Sequence, residues 1–346
     1  MLRIRDSLLE ELLQFCSLKK DCVFLDTSLP NKENSKSYLF VNPIGRLVCR
    51  EGDDLESYLG QLQKTLDSGH YLAGWVGYEF GSMLEGRYVR GTSSFSKPPA
   101  ILADFGVFIK PYKFDHHTSE NNFPLSTGSS SLSPEDAFSV NYLKPNMEQD
   151  EFVEALNKVK ELIAAGDTYQ VNYTMKLLFD LEGSVEQLYM SLRRNQSVGY
   201  GAYIKSRGEH ILSFSPELFF RKSAGEITVR PMKGTSVRGK NQQEEAQLSD
   251  DLHNDSKNRA ENVMIVDLLR NDLSRLLYGE KDATVNTASL FDVESYESIL
   301  QMNSTVKGVC EKDGVLKLPL SRLLHSLFPC GSITGAPKIR TMQIIE

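Results

Sequence analysis

Lys233 is held by its neighbours where an amine can do chemistry. It lies in Arg230-Pro231-Met232-Lys233-Gly234-Thr235, directly after Glu226-Ile227-Thr228-Val229. The β-branched residues of that run suit a pleated, half-buried strand. Pro231 restricts the backbone and Gly234 lets it turn, so the lysine stands at the end of a strand. If buried there, it can lose its proton and act as a nucleophile; if solvated, it is a turn lysine. Glu217, in Ser215-Pro216-Glu217, ends the apolar run Ile211-Leu212-Ser213-Phe214. Partial burial raises a carboxyl pKa toward neutrality, which suits a general acid; the alternative is a solvated turn residue.

Two further segments carry charge in informative settings. Asp255 to Asp272 reads as a helix with apolar residues on nearly every face, and Glu261 shares a face with Ile265 and Leu268. A carboxylate aimed along apolar surface needs a cation or several donors. The other reading is a glutamate near a helix N-terminus, favoured by the macrodipole and paired with Arg259 or Lys257. Phe328-Pro329-Cys330-Gly331-Ser332-Ile333-Thr334-Gly335-Ala336-Pro337-Lys338 is a Gly-rich turn feeding a helix, with Pro337 suited to its first position. Backbone N–H groups, the Ser332 and Thr334 hydroxyls and Lys338 suit a carboxylate or phosphate cradle. The spacing is not that of a P-loop, since Ile339 stands where Ser or Thr is needed. The segment also reads as a turn that starts a helix and holds no ligand.

The elements that must position these residues are strands with separate helices, which points to an α+β fold. Strand-like runs occur at Cys22–Leu25, Tyr38–Val41, Gly74–Tyr78 and Phe105–Ile109, with a helical pattern from Leu55 to Leu66 between the second and third. A polar, Ser-rich stretch from Thr118 to Asp136 divides the chain, giving an N-terminal sheet region at 1–117, a linker at 118–140 and a second region at 141–346. The second region opens with Phe152, Leu156, Val159 and Ile163 at helical spacing, stopped by Gly166. Strands then run to about Val229, followed by a long helix from Lys257 to Leu277, a strand pair from Ala283 to Val309 and a last helix reaching Glu346.

Bulk properties exclude several classes. Hydrophobic residues at 40% and charged residues at 25% are ordinary for a soluble globular protein. A formal net charge of -7 argues against nucleic-acid binding, which leaves a basic footprint. The sequence shows no apolar signal core at its start and no stretch of membrane-spanning length. Cys16, Cys22, Cys49, Cys310 and Cys330 are odd in number and lack metal-ligand spacing, so they read as reduced thiols in a cytoplasmic protein.

Asp255–Asp272, Ser215-Pro216-Glu217, Pro231–Thr235 and Phe328–Lys338 closely resemble motifs of the chorismate-binding enzymes. The resemblance is dense from Lys144 to Glu346. It is thinner upstream, where Val23-Phe24-Leu25-Asp26-Thr27 and Gly74-Trp75-Val76-Gly77-Tyr78-Glu79 look like the family's N-terminal sheet. It implies the fold of anthranilate synthase component I, a large two-lobed antiparallel β-sheet core flanked by helices. It also implies Mg2+ bridging substrate and protein carboxylates, with Glu261 as one ligand. By the same resemblance Glu217 is the general acid for a departing hydroxyl, and Gly331, Ser332, Thr334, Gly335 and Lys338 contact the substrate carboxylate.

Position 233 separates the branches of the family. Anthranilate-forming members carry a small residue there, whereas members making 4-amino-4-deoxychorismate carry lysine. The lysine is thought to add to the ring and expel the 4-hydroxyl before ammonia displaces it. Isochorismate-type members place a lysine base where this chain has Gln170, so Gln170 argues against water as the nucleophile. The implied activity is that of aminodeoxychorismate synthase component I, a transferase-type amination leading toward para-aminobenzoate and folate. Ammonia would come from a glutamine amidotransferase partner. From a reference pKa of ~10.4, neutralising Lys233 at pH 7 costs about 4.6 kcal/mol. Burial lowers lysine pKa by ~3 or more, and nearby Mg2+, Arg230 and Arg238 would push the same way.

The chain departs from the family pattern at Gln301, which stands where a histidine is common and which can hydrogen-bond but not shuttle a proton. Family members also continue past the last helix into strands that supply a second Mg2+ glutamate, a tyrosine, an arginine and a Gly-rich turn, so the sequence is expected to be a fragment. The alternative readings are anthranilate synthase component I, or a non-catalytic or regulatory module that binds tryptophan on its N-terminal sheet.

Overall fold

The computed structural model describes residues 1–86, 99–125, 137–310 and 316–346. It is α+β, built on antiparallel sheets, and contacts divide it into two units. One comprises Met1–Val140 and Leu181–Pro216; the other comprises Asn141–Asp180 and Glu217–Glu346. No helix among the described residues is long and apolar enough to cross a membrane.

This division corrects the one expected from the Ser-rich stretch. Leu181–Pro216 belongs to the first unit because Tyr200–Ser206 pairs with Cys22–Asp26 along the edge opposite Lys36–Val41. Long-range pairing of this kind leaves no mark on the local sequence. The start of the expected linker is anchored too: Phe123 is buried, edge-on to Phe24 and stacked on Phe114. Residues 126–136 of that stretch lie outside the described residues.

In the first unit a five-stranded sheet runs in the order Glu209–Ser215, Tyr200–Ser206, Cys22–Asp26, Lys36–Val41, Tyr112–Asp115. A three-stranded sheet places Ile101–Phe108 between Gly45–Arg50 and Tyr71–Val76. The helices Asp6–Ser17 and Val185–Asn195, neither of which was assigned from sequence, contribute Leu9, Leu12, Leu13, Cys16, Tyr189 and Met190 to a core shared with Phe24, Leu39 and Tyr203. Burial of such side chains contributes roughly 1.5–3 kcal/mol each, enough to order both helices on the sheet.

The second unit is organised by one strand, Ile299–Cys310. Ala283–Ser295 pairs along one of its edges, and Glu226–Arg230 and Met232–Val237 follow one another along the other. Leu218–Lys222 adds outside Glu226–Arg230. The helix Ser256–Leu277, capped by the Asp255 carboxylate accepting from the Asn258 N–H at 2.7 Å, crosses this sheet. Its buried residues are Asn262, Ile265, Val266, Leu269, Asp272, Leu273, Leu276 and Leu277, a single stripe at helical spacing. The helix is therefore amphipathic rather than apolar on nearly every face: Val263 is exposed, and Arg270 pairs with Asp267 on the outer side.

Candidate active site

Lys233 sits where the sheet register slips. Met232 pairs with Asn303 but Thr235 pairs with Gln301, so the lysine strand fits one more residue than its partner into the same span. Gly234 completes this bulge with φ +103, and a Cβ there would meet the Asn258 and Met302 Cβ atoms at 3.2 Å. Only glycine takes that backbone conformation without strain. The bulge takes Lys233 out of the regular alternation of the strand, into a partly buried setting. Burial lowers its pKa, opposed by the negative charges of Glu217 and Glu261 and by Cys330.

Glu217 opens the second unit just ahead of the strand Leu218–Lys222. Burial raises its pKa, and the rise persists against the Ser332 hydroxyl, the Lys233 charge and the Met232 N–H. Ser332 Oγ donates to Glu217 Oε1 at 2.5 Å and lies 3.1 Å from Cys330 Sγ, whose thiol burial also pushes up. Glu217, Lys233, Ser332 and Cys330 thus form one cluster of ionisable and polar groups. Glu261 bears on it electrostatically from the first turns of the long helix.

Glu261 is not laid along apolar surface as its spacing suggested. Its side chain is 40% exposed, with Lys257 Nζ at 3.9 Å one turn earlier. Among the described residues no group of three or more His, Cys, Asp or Glu side chains is arranged to hold a metal ion. Mg2+ demands less of a protein, being commonly held by one or two carboxylates with water and substrate oxygens completing the shell. Glu261, accessible and only loosely paired, has the donor chemistry for that mode.

The Gly-rich turn is divided between site and scaffold. It folds as a short helix, Gly331–Thr334, then Gly335–Ala336 paired with Gln170–Val171, then the helix Lys338–Ile345. Gly331 packs against Leu268 of the long helix. Gly335, at φ +138, brings the backbone so close that a Cβ would lie 2.0 Å from the Gln170 carbonyl oxygen. Pro337 caps the following helix rather than opening it. Thr334 is fully buried and donates to the Cys330 carbonyl at 2.9 Å. Lys338 is corrected outright: its ammonium is buried, 2.9 Å from Asp272 and 3.1 Å from the Ser326 carbonyl, so its charge is neutralised inside the protein and not offered to a ligand. Arg230 and Arg238 are likewise engaged elsewhere, by Glu294 and Glu245, and do not help to neutralise Lys233.

Gln301 lies opposite Thr235 and Glu294. Strand alternation puts it on the sheet face away from Leu300, Met302 and Ser304. Gln170 does stand beside the turn, and its buried Oε1 has no hydrogen-bond partner among the described residues. Sequence reasoning missed Asp272 as the partner of Lys338, Cys330 as a neighbour of Glu217, and Asn262, a buried amide on the helix stripe. For Asn262 and Asp272 the available signal was a polar residue recurring on an otherwise apolar stripe.

A family model described as chorismate binding enzyme matches residues 21–346. The chain belongs to this family. The aminodeoxychorismate synthase component 1 of Escherichia coli (strain K12) is 32% identical over 285 residues, covering 79% of this chain and 60% of that protein. The anthranilate synthase component 1 of Aquifex aeolicus (strain VF5) is 34% identical over 203 residues, covering 59% and 40%. The chain thus spans about half the length of the curated relatives it matches. The crystal structure of anthranilate synthase component I from Streptococcus pneumoniae TIGR4 superposes with a TM-score of 0.72 at 23% identity, over 92% of this chain and 78% of that one, which establishes the fold.

Lys338→Met should leave Asp272 buried with less compensation and destabilise the protein by about 3–5 kcal/mol. Adding Asp272→Leu should recover much of that loss, as thermal or denaturant unfolding of the two variants would report. A Lys338→Met protein of unchanged stability would return Lys338 to the list of ligand-binding candidates.

Proposed function

We propose that this chain is the chorismate-binding component of an aminodeoxychorismate synthase, converting chorismate and ammonia to 4-amino-4-deoxychorismate. A glutamine amidotransferase would supply the ammonia. The observation that carries this reading is Lys233 grouped with Glu217, with burial lowering the amine and raising the carboxyl. Overall identity does not separate the branches, since aminodeoxychorismate and anthranilate synthase relatives match at 32% and 34%. The lysine at the bulge does favour one, because amination through a lysine adduct needs a nucleophile at that place.

In this reading the neutral Lys233 amine adds to the substrate ring while Glu217 gives its proton to the departing 4-hydroxyl. Ammonia then attacks at the 4-position and the lysine leaves. Mg2+ held through Glu261 would supply charge neutralisation for a substrate carboxylate. The buried Gln170 Oε1 is an acceptor without a basic amine, which suits ammonia better than activation of water.

The pH dependence follows from the two shifts. The reacting pair needs the carboxyl protonated and the amine neutral, the reverse of the order in which free groups titrate. The fraction in that state grows as the two pKa values approach each other, and burial moves both in that direction. The kcat/KM profile, measured at constant free ammonia, should be a bell narrowed from both sides. Its acid limb should lie above the ordinary glutamate value of 4.5 and its alkaline limb below the ordinary lysine value of 10.5. Glu217→Gln should remove the alkaline limb, leaving a profile that only rises with pH through the Lys233 pKa, and lower turnover by about 10²–10⁴.

Lys233→Ala should abolish the 4-amino product in an assay with chorismate, Mg2+ and an ammonium salt, run on this chain and on any longer reading frame that contains it. Chromatography identifies the product. Undiminished 4-amination by the variant would remove Lys233 from the reaction, and anthranilate from the parent would make the anthranilate reading the better one. No turnover of any kind would favour a non-catalytic module.

A further inference from the structure

We propose that Asn262 and Ser304 form a buried clasp that positions Lys233 by holding its backbone at the register break. This rests on the reading of Lys233 as the reacting amine. At a bulge the strand loses part of its ladder, and a carbonyl there needs another donor. The Lys233 carbonyl finds one in Asn262 Nδ2, 3.4 Å away on the long helix. Two residues earlier, the Pro231 carbonyl accepts from the Ser304 N–H at 3.2 Å. The bulge is therefore held on both sides of the lysine.

The two holding residues fix each other. Ser304 Oγ accepts from the Phe291 N–H at 3.1 Å, so its own proton goes to Asn262 Oδ1 at 2.6 Å. That contact sets the amide orientation and leaves Nδ2 facing Lys233. Both side chains are wholly buried, where an amide retained without partners would be costly. Asn262 also follows Glu261 in the helix, so the clasp sets the distance between the reacting amine and the carboxylate proposed for Mg2+. Neither Asn262 nor Ser304 touches the substrate in this scheme; both are positioning residues acting through the backbone of Lys233.

Ser304→Ala and Asn262→Leu test this without adding charge. The first measurement needs neither substrate nor metal. It is trace acetylation of Lys233 with acetic anhydride across pH, followed by peptide mass spectrometry, with Lys307 on the same sheet as the internal reference. A relaxed bulge should move the Lys233 midpoint up toward that of an ordinary lysine in both variants and leave Lys307 unchanged. The second measurement is turnover, where kcat should fall on the order of 10- to 100-fold with KM little altered, as expected for a misplaced reacting group. The double variant should lose little more than the worse single one, because the residues act as a unit. If Asn262→Leu fails to fold, Ser304→Ala decides alone. An unchanged Lys233 profile and unchanged kcat would overturn the clasp while leaving the proposed reaction intact. If the parent makes no 4-amino product, the reaction falls, and the labelling midpoints still decide whether the clasp exists.

Discussion

The register break between Met232 and Thr235 is the constraint on which the candidate site depends. Ile299–Cys310 carries two short strands in succession on one edge, and Pro231, which has no N–H to give, lies at the seam between them. A continuous strand through this region would alternate its side chains strictly, and residue 233 would take whichever face the alternation gave it. The extra residue frees Lys233 from that rule. The break needs Gly234 because the backbone there is left-handed and pressed against Asn258 and Met302. The long helix must then pack closely enough to replace the lost ladder, which its stripe of Ile265, Val266, Leu269 and Leu273 accomplishes.

Electrostatics in the cluster follow from incomplete compensation. Glu217 and Lys233 would each draw the other toward its charged form, and that attraction is present. Burial outweighs it for both, so the carboxyl remains above and the amine below its ordinary value. A pair packed for stability alone would be expected to go the other way. Ser332 contributes a second effect: by donating to Oε1 it limits how far Glu217 rises and fixes where the carboxyl points.

Much of this was legible in the residues, and the failures share a cause. Lys233, Glu217 and the turn at Gly331–Gly335 stand out because proline, glycine and β-branched neighbours restrict the backbone locally. The long helix and the strand pair after it were readable from periodicity. The assignment of Leu181–Pro216 to the first unit was not, because it depends on Tyr200–Ser206 finding Cys22–Asp26 about 180 residues earlier, and sequence carries no record of such a partner. The helix Asp6–Ser17 was passed over although Leu9, Leu12, Leu13 and Cys16 recur at helical spacing. Glu261 and Lys338 were misjudged for one reason: spacing says which residues share a face, not how deeply that face is covered.

Depth of cover is what separates reacting charge from structural charge in the second unit. Lys338 and Asp272 are opposite charges in direct contact, both nearly inaccessible, with the Ser326 carbonyl taking another ammonium proton. Ions withdrawn from water to that extent persist only when matched. Glu261 is the opposite case, since a carboxylate 40% exposed and only loosely paired with Lys257 keeps contact with water and can exchange it for a cation. Lys233 and Glu217 lie between these limits, buried enough for their protons to shift and not so tightly paired that the shift is cancelled. The same helix supplies both extremes less than four turns apart, Glu261 near its start and Asp272 further along its buried stripe. The face a carboxylate occupies on this helix, buried stripe or outer side, thus separates one accessible to a cation from one that fastens the Gly-rich turn in place.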